Sequence, residues 1–309
     1  MRPLVLTHPD CLEHLRGISH PEAPQRLEVV LSTIQDCFGS QVDFQHPKVL
    51  DGAAIDTVHE PSFWPTILEK VRRHALFLDE GDTLVSPGSI RAALAAAGAS
   101  VAAAHAVIEG RSRIFVATRP PGHHATPARP MGFCYVNHMA LGVRYLQKSG
   151  IQRCLIIDWD VHHGNGTQDF FYREEEVFYY SVHQSPWYPG TGTPEEQGEG
   201  AGEGRTLNRA MPSGTTSFQW LKTFERDLPT LIKAFRPQIL LISAGFDGHR
   251  LDPLGEFLLE TKVFGELTHL VDELAKSNGN LPIISLLEGG YHLQALKESV
   301  TSHLAALFT

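Results

Sequence analysis

The chain of 309 residues contains only four cysteines, Cys11, Cys37, Cys134 and Cys154, at long and irregular spacings. Without a Cys-x-x-Cys pair there is neither a thiolate zinc site nor a disulfide framework, so buried, reduced thiols are expected. Positive charge is also in short supply: 26 Lys and Arg stand against 35 Asp and Glu, a formal charge of −9. Such a surface does not neutralise phosphates, which argues against nucleic acid as a partner but would tolerate a cationic substrate. Long hydrophobic runs are missing too. The longest, Ala92 to Ile108, is mostly alanine and carries Gly98, Ser100 and His105. It reads as a packed helix, and no membrane partner is expected. The apolar stretch before Asp10 and Glu13 is too short for a signal peptide, so a cytoplasmic location is the expectation. The sequence has no internal repeat. In Pro189 to Gly204 the glycines alternate with acids that would repel a phosphate, which makes a surface loop and not a nucleotide cradle.

What is present is an alternation of short aliphatic runs with longer helical patterns. An apolar content of 42% can bury one large core, and one domain over residues 1–309 is expected. Strands are predicted at Pro3 to Thr7, Ile114 to Thr118, Cys154 to Asp158, Glu176 to Val182, Ile239 to Ser243 and Ile283 to Leu287. Helices are predicted near Gln25 to Cys37, Pro61 to Phe77, Ser89 to Glu109, Val136 to Lys148, Ser217 to Phe235, Phe257 to Lys276 and Leu293 to Leu307. This order predicts the α/β class, with a parallel sheet covered by helices on both faces. Ala201 to Arg209 carries no interpretable motif.

The chemistry gathers at the strand ends. Cys154 to Ile157 runs into Asp158-Trp159-Asp160-Val161-His162-His163-Gly164-Asn165-Gly166. In extended backbone Asp158, Asp160 and His162 point one way, and two carboxylates with an imidazole repel and desolvate each other unless a cation lies between them. A solvated acidic turn is the plainer alternative, but Trp159 and Val161 alternate with the polar residues as packing groups. Other runs end in Arg119-Pro120-Pro121-Gly122-His123-His124, in Ser181-Val182-His183, in Ala244-Gly245-Phe246-Asp247 and in Glu288-Gly289-Gly290-Tyr291. The carboxyl ends of parallel strands open onto one crevice, where α/β proteins build their sites. Asp247 could cap a turn, yet its place after a buried strand makes it a candidate further ligand. Tyr291 could simply pack its ring, but Gly289 and Gly290 let the backbone approach a ligand closely.

These blocks, together with Gly132-Phe133-Cys134-Tyr135-Val136-Asn137, resemble the signature of histone deacetylases, from His20-Pro21-Glu22-Ala23-Pro24-Gln25-Arg26 through to Tyr291. Asn165 and the Glu-Gly-Gly-Tyr ending resemble the class II branch and its bacterial relatives, a group shared with acetylpolyamine amidohydrolases and acetoin-utilisation proteins. The resemblance implies the arginase/deacetylase fold and one zinc ion held by Asp160, His162 and Asp247. It implies that Asp158 orients His123 and, with Ser181 and backbone carbonyls, holds potassium; oxygen-only ligation suits that hard ion. It further implies that His124 exchanges the proton of the attacking water, that His123 tunes the electrostatics, and that Tyr291 donates to the oxyanion. Asn165 would contact His124, Gly132 would offer its carbonyl to the substrate, Phe133 and Tyr188 would wall the acyl tunnel, and Arg26 would lie near the acetate exit. Tyr188 stands where many relatives carry an aromatic without a hydroxyl.

An arginase-like ureohydrolase needs two bridged metals, but Gly164 and Gly248 stand where further ligands would be wanted. A non-catalytic reader of acylated ligands would have lost His123, His124 or Tyr291. The expected substrate is therefore an acyl-lysine peptide or protein, with an acylated small amine such as an acetylpolyamine as the alternative. Leu254, in Asp252-Pro253-Leu254, falls where the resemblance puts a glutamate in polyamine-selective relatives, and an apolar residue there favours the acyl-lysine stem. The acidic stretch Asp79 to Asp82 could restore the missing negative charge.

Overall fold

A computed structural model describes residues 1–79 and 81–309 of the chain. Among the described residues, eight strands form one sheet in the order β2-β1-β3-β8-β7-β4-β5-β6, and every pairing in it is parallel. The strands are β1 (Leu4–Leu6), β2 (Asp43–Gln45), β3 (Arg113–Val116), β4 (Cys154–Asp158), β5 (Val177–Gln184), β6 (Thr206–Met211), β7 (Ile239–Ala244) and β8 (Ile283–Leu287). The helices are α1 (Pro24–Phe38), α2 (Phe63–Arg72), α3 (Ser89–Ile108), α4 (His138–Lys148), α5 (Asn165–Phe171), α6 (Ser217–Phe235), α7 (Thr261–Ser277) and α8 (Leu293–Leu307).

The sheet separates two apolar cores, because successive strand residues face opposite sides. Leu155 and Ile157 of β4 join the core under α1, α6, α7 and α8, whereas Cys154 and Ile156 join the one under α3, α4 and α5. Helix α3 is long and apolar enough to cross a membrane, but it is mostly buried within the protein: its small alanines let it pack closely against the sheet and α4. A smaller cluster of Ile55, Phe63, Trp64 and Ile67 seats α2 against α3.

All six expected strands are present, and β2 and β6 are additional. Both are sheet edges with little aliphatic content. In β6 the buried positions are Thr206 and Asn208, so a polar residue occupies the inward face and the apolar periodicity is lost. Ala201 to Arg209 is thus partly strand. Helix α2 stops at Arg72, short of the expected Phe77, and α7 begins at Thr261 and not Phe257, because Leu258 and Leu259 bridge to Thr216 and His249. Helix α5 was hidden by the two glycines at its start. The order places β7 and β8 between β3 and β4, so the carboxyl ends of four adjacent strands share the centre of one edge.

Candidate active site

Asp160, His162 and Asp247 are buried, and one ligand atom from each lies within 4.8 Å of the others. Nδ1 of His162 is 3.0 Å from Asp160 Oδ1 and 3.1 Å from Asp247 Oδ2. Asp160 and His162 come from the turn after β4 and Asp247 from the turn after β7, which are neighbouring strands. Burial and the adjacent Asp160 carboxylate push the Asp247 carboxyl up to about 7. Burial alone would also raise Asp160, but the imidazoles of His123 and His162 hold it low. Two buried carboxylates that disfavour joint ionisation, backed by one imidazole, are the donor set a divalent cation satisfies. The cradle is tight: a Cβ at Gly289 would collide with the carboxylates of Asp247 and Asp160.

Asp158 does not belong to this trio. Its Oδ2 accepts from the Tyr179 hydroxyl at 3.0 Å and lies 3.1 Å from His123 Nδ1, while Oδ1 accepts the Asp160 N–H at 3.2 Å. The strand ends at Asp158, so the alternation that would have put Asp158, Asp160 and His162 on one side stops there. Ser181 is the register partner of Asp158 on β5, and its Oγ lies 2.9 Å from His183 Nδ1.

His123 and His124 follow β3, and their rings sit 4.0 Å apart. Burial would lower His123, but Asp160 and Asp158 outweigh it and raise the imidazole to about 10. Burial, together with His123 and His162, lowers His124 well below its ordinary value. His124 Nδ1 is 2.8 Å from Asn165 Oδ1. That oxygen is an acceptor, so Nδ1 carries the hydrogen and Nε2 keeps its lone pair. Glu288, in the turn after β8, accepts the Gly122 N–H at 2.8 Å and the His123 N–H at 3.3 Å, and burial raises its carboxyl to about 7.

A cavity of about 240 Å³ reaches this cluster, lined by His124, His162, Gly132, Phe133, Tyr188, Leu254 and Tyr291, with Asp82, Trp187 and Pro253 at its sides. The Tyr188 ring stands edge-on to His124 at 5.1 Å, and the Phe133 ring edge-on to Tyr291 at 5.9 Å. The Trp187 indole donates to the Leu254 carbonyl at 2.9 Å, which fixes Leu254 in the wall. Arg26 lies behind Tyr291: its guanidinium sits 4.8 Å from that ring's centroid, donates to the carbonyls of Gly290 and Glu288, and pairs with the buried Glu22. Burial keeps the Tyr291 phenol protonated, well above its usual range.

Sequence reasoning missed several supports. Glu22 also pairs with Arg119 at 2.6 Å with both fully buried, and Asp252 accepts the N–H groups of Tyr291 and His292 at 2.6 and 3.2 Å. Glu288 and Asp252 lie inside or beside quoted motifs, but nothing in their spacing shows that they serve backbone amides. Of the acidic stretch Asp79 to Asp82, Glu80 lies outside the described residues.

A family profile described as histone deacetylase domain matches residues 20–307. A "Probable deacetylase" of Archaeoglobus fulgidus is 35% identical over 94% of this chain and 81% of its own length. "Histone deacetylase 14, chloroplastic" of Arabidopsis thaliana is 36% identical over 94% of this chain and 73% of its own. Among solved structures, the HDA15 HD domain superposes with a TM-score of 0.90 at 30% identity, covering 99% of this chain and 88% of that one. An acetylpolyamine aminohydrolase from Burkholderia pseudomallei gives 0.86 at 29%, covering 98% of each chain. The chain belongs to the histone deacetylase family.

Proposed function

We propose that this protein is a zinc-dependent deacylase that hydrolyses the amide of acyl-lysine side chains in peptides or proteins, with residues 1–309 forming one catalytic domain. The observation that carries this reading is the meeting, at the foot of one apolar cavity, of the Asp160-His162-Asp247 cluster with a neutral His124 and the Tyr291 hydroxyl-bearing ring. Zinc held by Asp160, His162 and Asp247 would supply Lewis acidity, lowering the pKa of a water to about 7. The chain's own groups do the rest. His124, neutral and with Nε2 unprotonated, takes a proton from the attacking water and returns it to the leaving amine. His123, held protonated beside Asp158, offsets negative charge at the reacting centre. Tyr291 donates its hydroxyl to the developing oxyanion. Phe133 and Tyr188 enclose the acyl-lysine stem and keep water away, and the Gly132 carbonyl accepts from the scissile amide N–H. Asp158 and Ser181, buried register partners, are the groups we assign to potassium. The four cysteines lie unpaired, Cys11, Cys134 and Cys154 buried, which suits the reducing, cytoplasmic setting we assign to the protein.

The second reading, an acetylpolyamine deacetylase, is favoured by the acetylpolyamine aminohydrolase among the structural neighbours. Leu254 speaks against it, because it offers a distal ammonium only apolar contact and leaves Asp82 as the one carboxylate among the described residues lining the cavity. Comparing kcat/KM for an acetyl-lysine peptide with acetylspermidine and acetylputrescine tests the choice. The peptide should be preferred, and Leu254→Glu should move the ratio toward polyamines by about 10-fold or more, the equivalent of about 1 to 3 kcal/mol at one contact. A wild-type preference for either polyamine overturns the acyl-lysine assignment.

A further inference from the structure

Asp79 spends both carboxylate oxygens, and Asp82 one of its two, on the protein itself. Asp79 Oδ1 accepts the N–H groups of Gly81, Asp82 and Thr83 at 3.1, 3.1 and 2.9 Å, and its Oδ2 accepts the Thr83 hydroxyl. Thr83 is fully buried. Its Oγ1 in turn accepts the Phe133 N–H at 3.2 Å, and Asp82 Oδ1 accepts the Gly132 N–H at 3.2 Å. Asp82 and Thr83 thus reach across to two consecutive amides of the tunnel wall.

The Gly132-Phe133 turn is closed by paired backbone hydrogen bonds between Met131 and Cys134 at 3.2 and 2.9 Å, and Phe133, its non-glycine residue, is where an outside hold adds most. Gly132 has φ 57° and Phe133 φ 65°, so both lie in the left-handed region, which a bulky side chain does not adopt by preference. The turn also sits hard against the site: a Cβ at Gly132 would come within 2.5 Å of the His124 ring. The Phe133 ring is gripped by His20 at 4.7 Å and faces Tyr291 at 5.9 Å. If the turn relaxed to ordinary backbone angles, the Phe133 wall and the Gly132 carbonyl would both move relative to His124.

We propose that Thr83, backed by Asp79, is a positioning residue that holds the Gly132-Phe133 turn in its left-handed form and so sets the width of the tunnel. Thr83 receives the Phe133 amide while giving its own proton to Asp79, so the hydroxyl is used in both senses and valine, of nearly the same shape, can do neither. Asp79, committed to this clasp through both oxygens, has correspondingly less to offer a cationic substrate, whereas Asp82 gives the clasp Oδ1 alone and lines the cavity. The kinetic consequence rests on the deacylase reading above; the structural one does not.

The test is Thr83→Val beside Thr83→Ser, read by hydrogen–deuterium exchange, bound zinc and kcat/KM on an acetyl-lysine peptide. Thr83→Val should speed exchange at the Phe133 amide by at least about 10-fold while Leu155 in β4 stays protected, because a buried amide without its acceptor opens more readily. It should retain zinc and lower kcat/KM by about 10- to 100-fold, the scale of a misplaced positioning contact. Thr83→Ser should restore both readings to within a few-fold. Unchanged Phe133 exchange in Thr83→Val, loss of zinc with it, or a serine variant as impaired as the valine one overturns the proposal. If the valine variant does not fold, Asp79→Asn serves: faster Phe133 exchange supports the clasp and unchanged exchange overturns it. If wild-type protein turns over no acyl-lysine peptide, the deacylase reading fails while the exchange result still decides the clasp.

Discussion

His123 and His124 are adjacent in the chain and differ in charge. The carboxylates of Asp160 and Asp158 hold the first protonated, and that charge, added to burial, keeps the second neutral. In the reaction proposed above one stabilises negative charge and the other moves a proton, and the difference follows from which carboxylates each ring faces. Tyr291 supplies the third group. Tyr291→Phe removes only the hydroxyl, so it should retain zinc and the wild-type Tm while losing about 10²- to 10³-fold in kcat on an unactivated amide. Steady-state kinetics on that variant check the role, and near-normal turnover would refute it. The candidate ligands were legible because they sit at strand ends, but the side on which Asp158 falls was not. Periodicity describes extended chain, and the chain stops being extended at that residue.

At the scale of elements, short turns after β3, β4, β7 and β8 do the work, and their precision comes from what the backbone leaves out. Gly289, after β8, donates its N–H to Asp160 Oδ2 at 2.8 Å and has no room for a side chain against Asp247. Gly289→Ala should therefore weaken zinc binding by about 10- to 100-fold, as changes to groups supporting metal ligands do. Competition with a chelator measures this, and wild-type affinity in the variant would contradict the packing described. The six central strands could be read from their aliphatic runs, whereas β6 could not. Its buried Asn208 donates to Gln168 Oε1 at 2.7 Å, so a tertiary hydrogen bond takes the place an apolar residue would have marked.

Over the whole molecule, the sheet order was the part hidden from the sequence. Nothing local shows that β7 and β8 insert between β3 and β4, although the strand-end rule alone brought their motifs to one crevice. The fold also buries many imidazoles outside the site. Burial lowers His14, His59 and His303 to about 3 and His138 to about 4. Unfolded histidines take up protons below about pH 6.5, and these folded ones do not until far lower. The unfolded state therefore binds more protons as pH falls, and stability is lost through that window. Asp247 and Glu288, raised to about 7, take up protons in the folded state over the same window and offset part of this loss, but the four rings outnumber them. Chelator-treated protein should therefore lose a few degrees of Tm between pH 7 and 5, and a Tm that is flat or rises would contradict this balance. The central claim, that this family member hydrolyses acyl-lysine with a zinc ion held by Asp160, His162 and Asp247, meets its most direct test in one titration. Chelator-stripped protein is assayed on an acetyl-lysine peptide as zinc is added back. The account predicts no turnover without metal and full recovery at one zinc per chain, with Asp247→Ala neither binding zinc nor recovering. Turnover that survives complete removal of metal, or an Asp247→Ala protein that binds zinc and works, would contradict it.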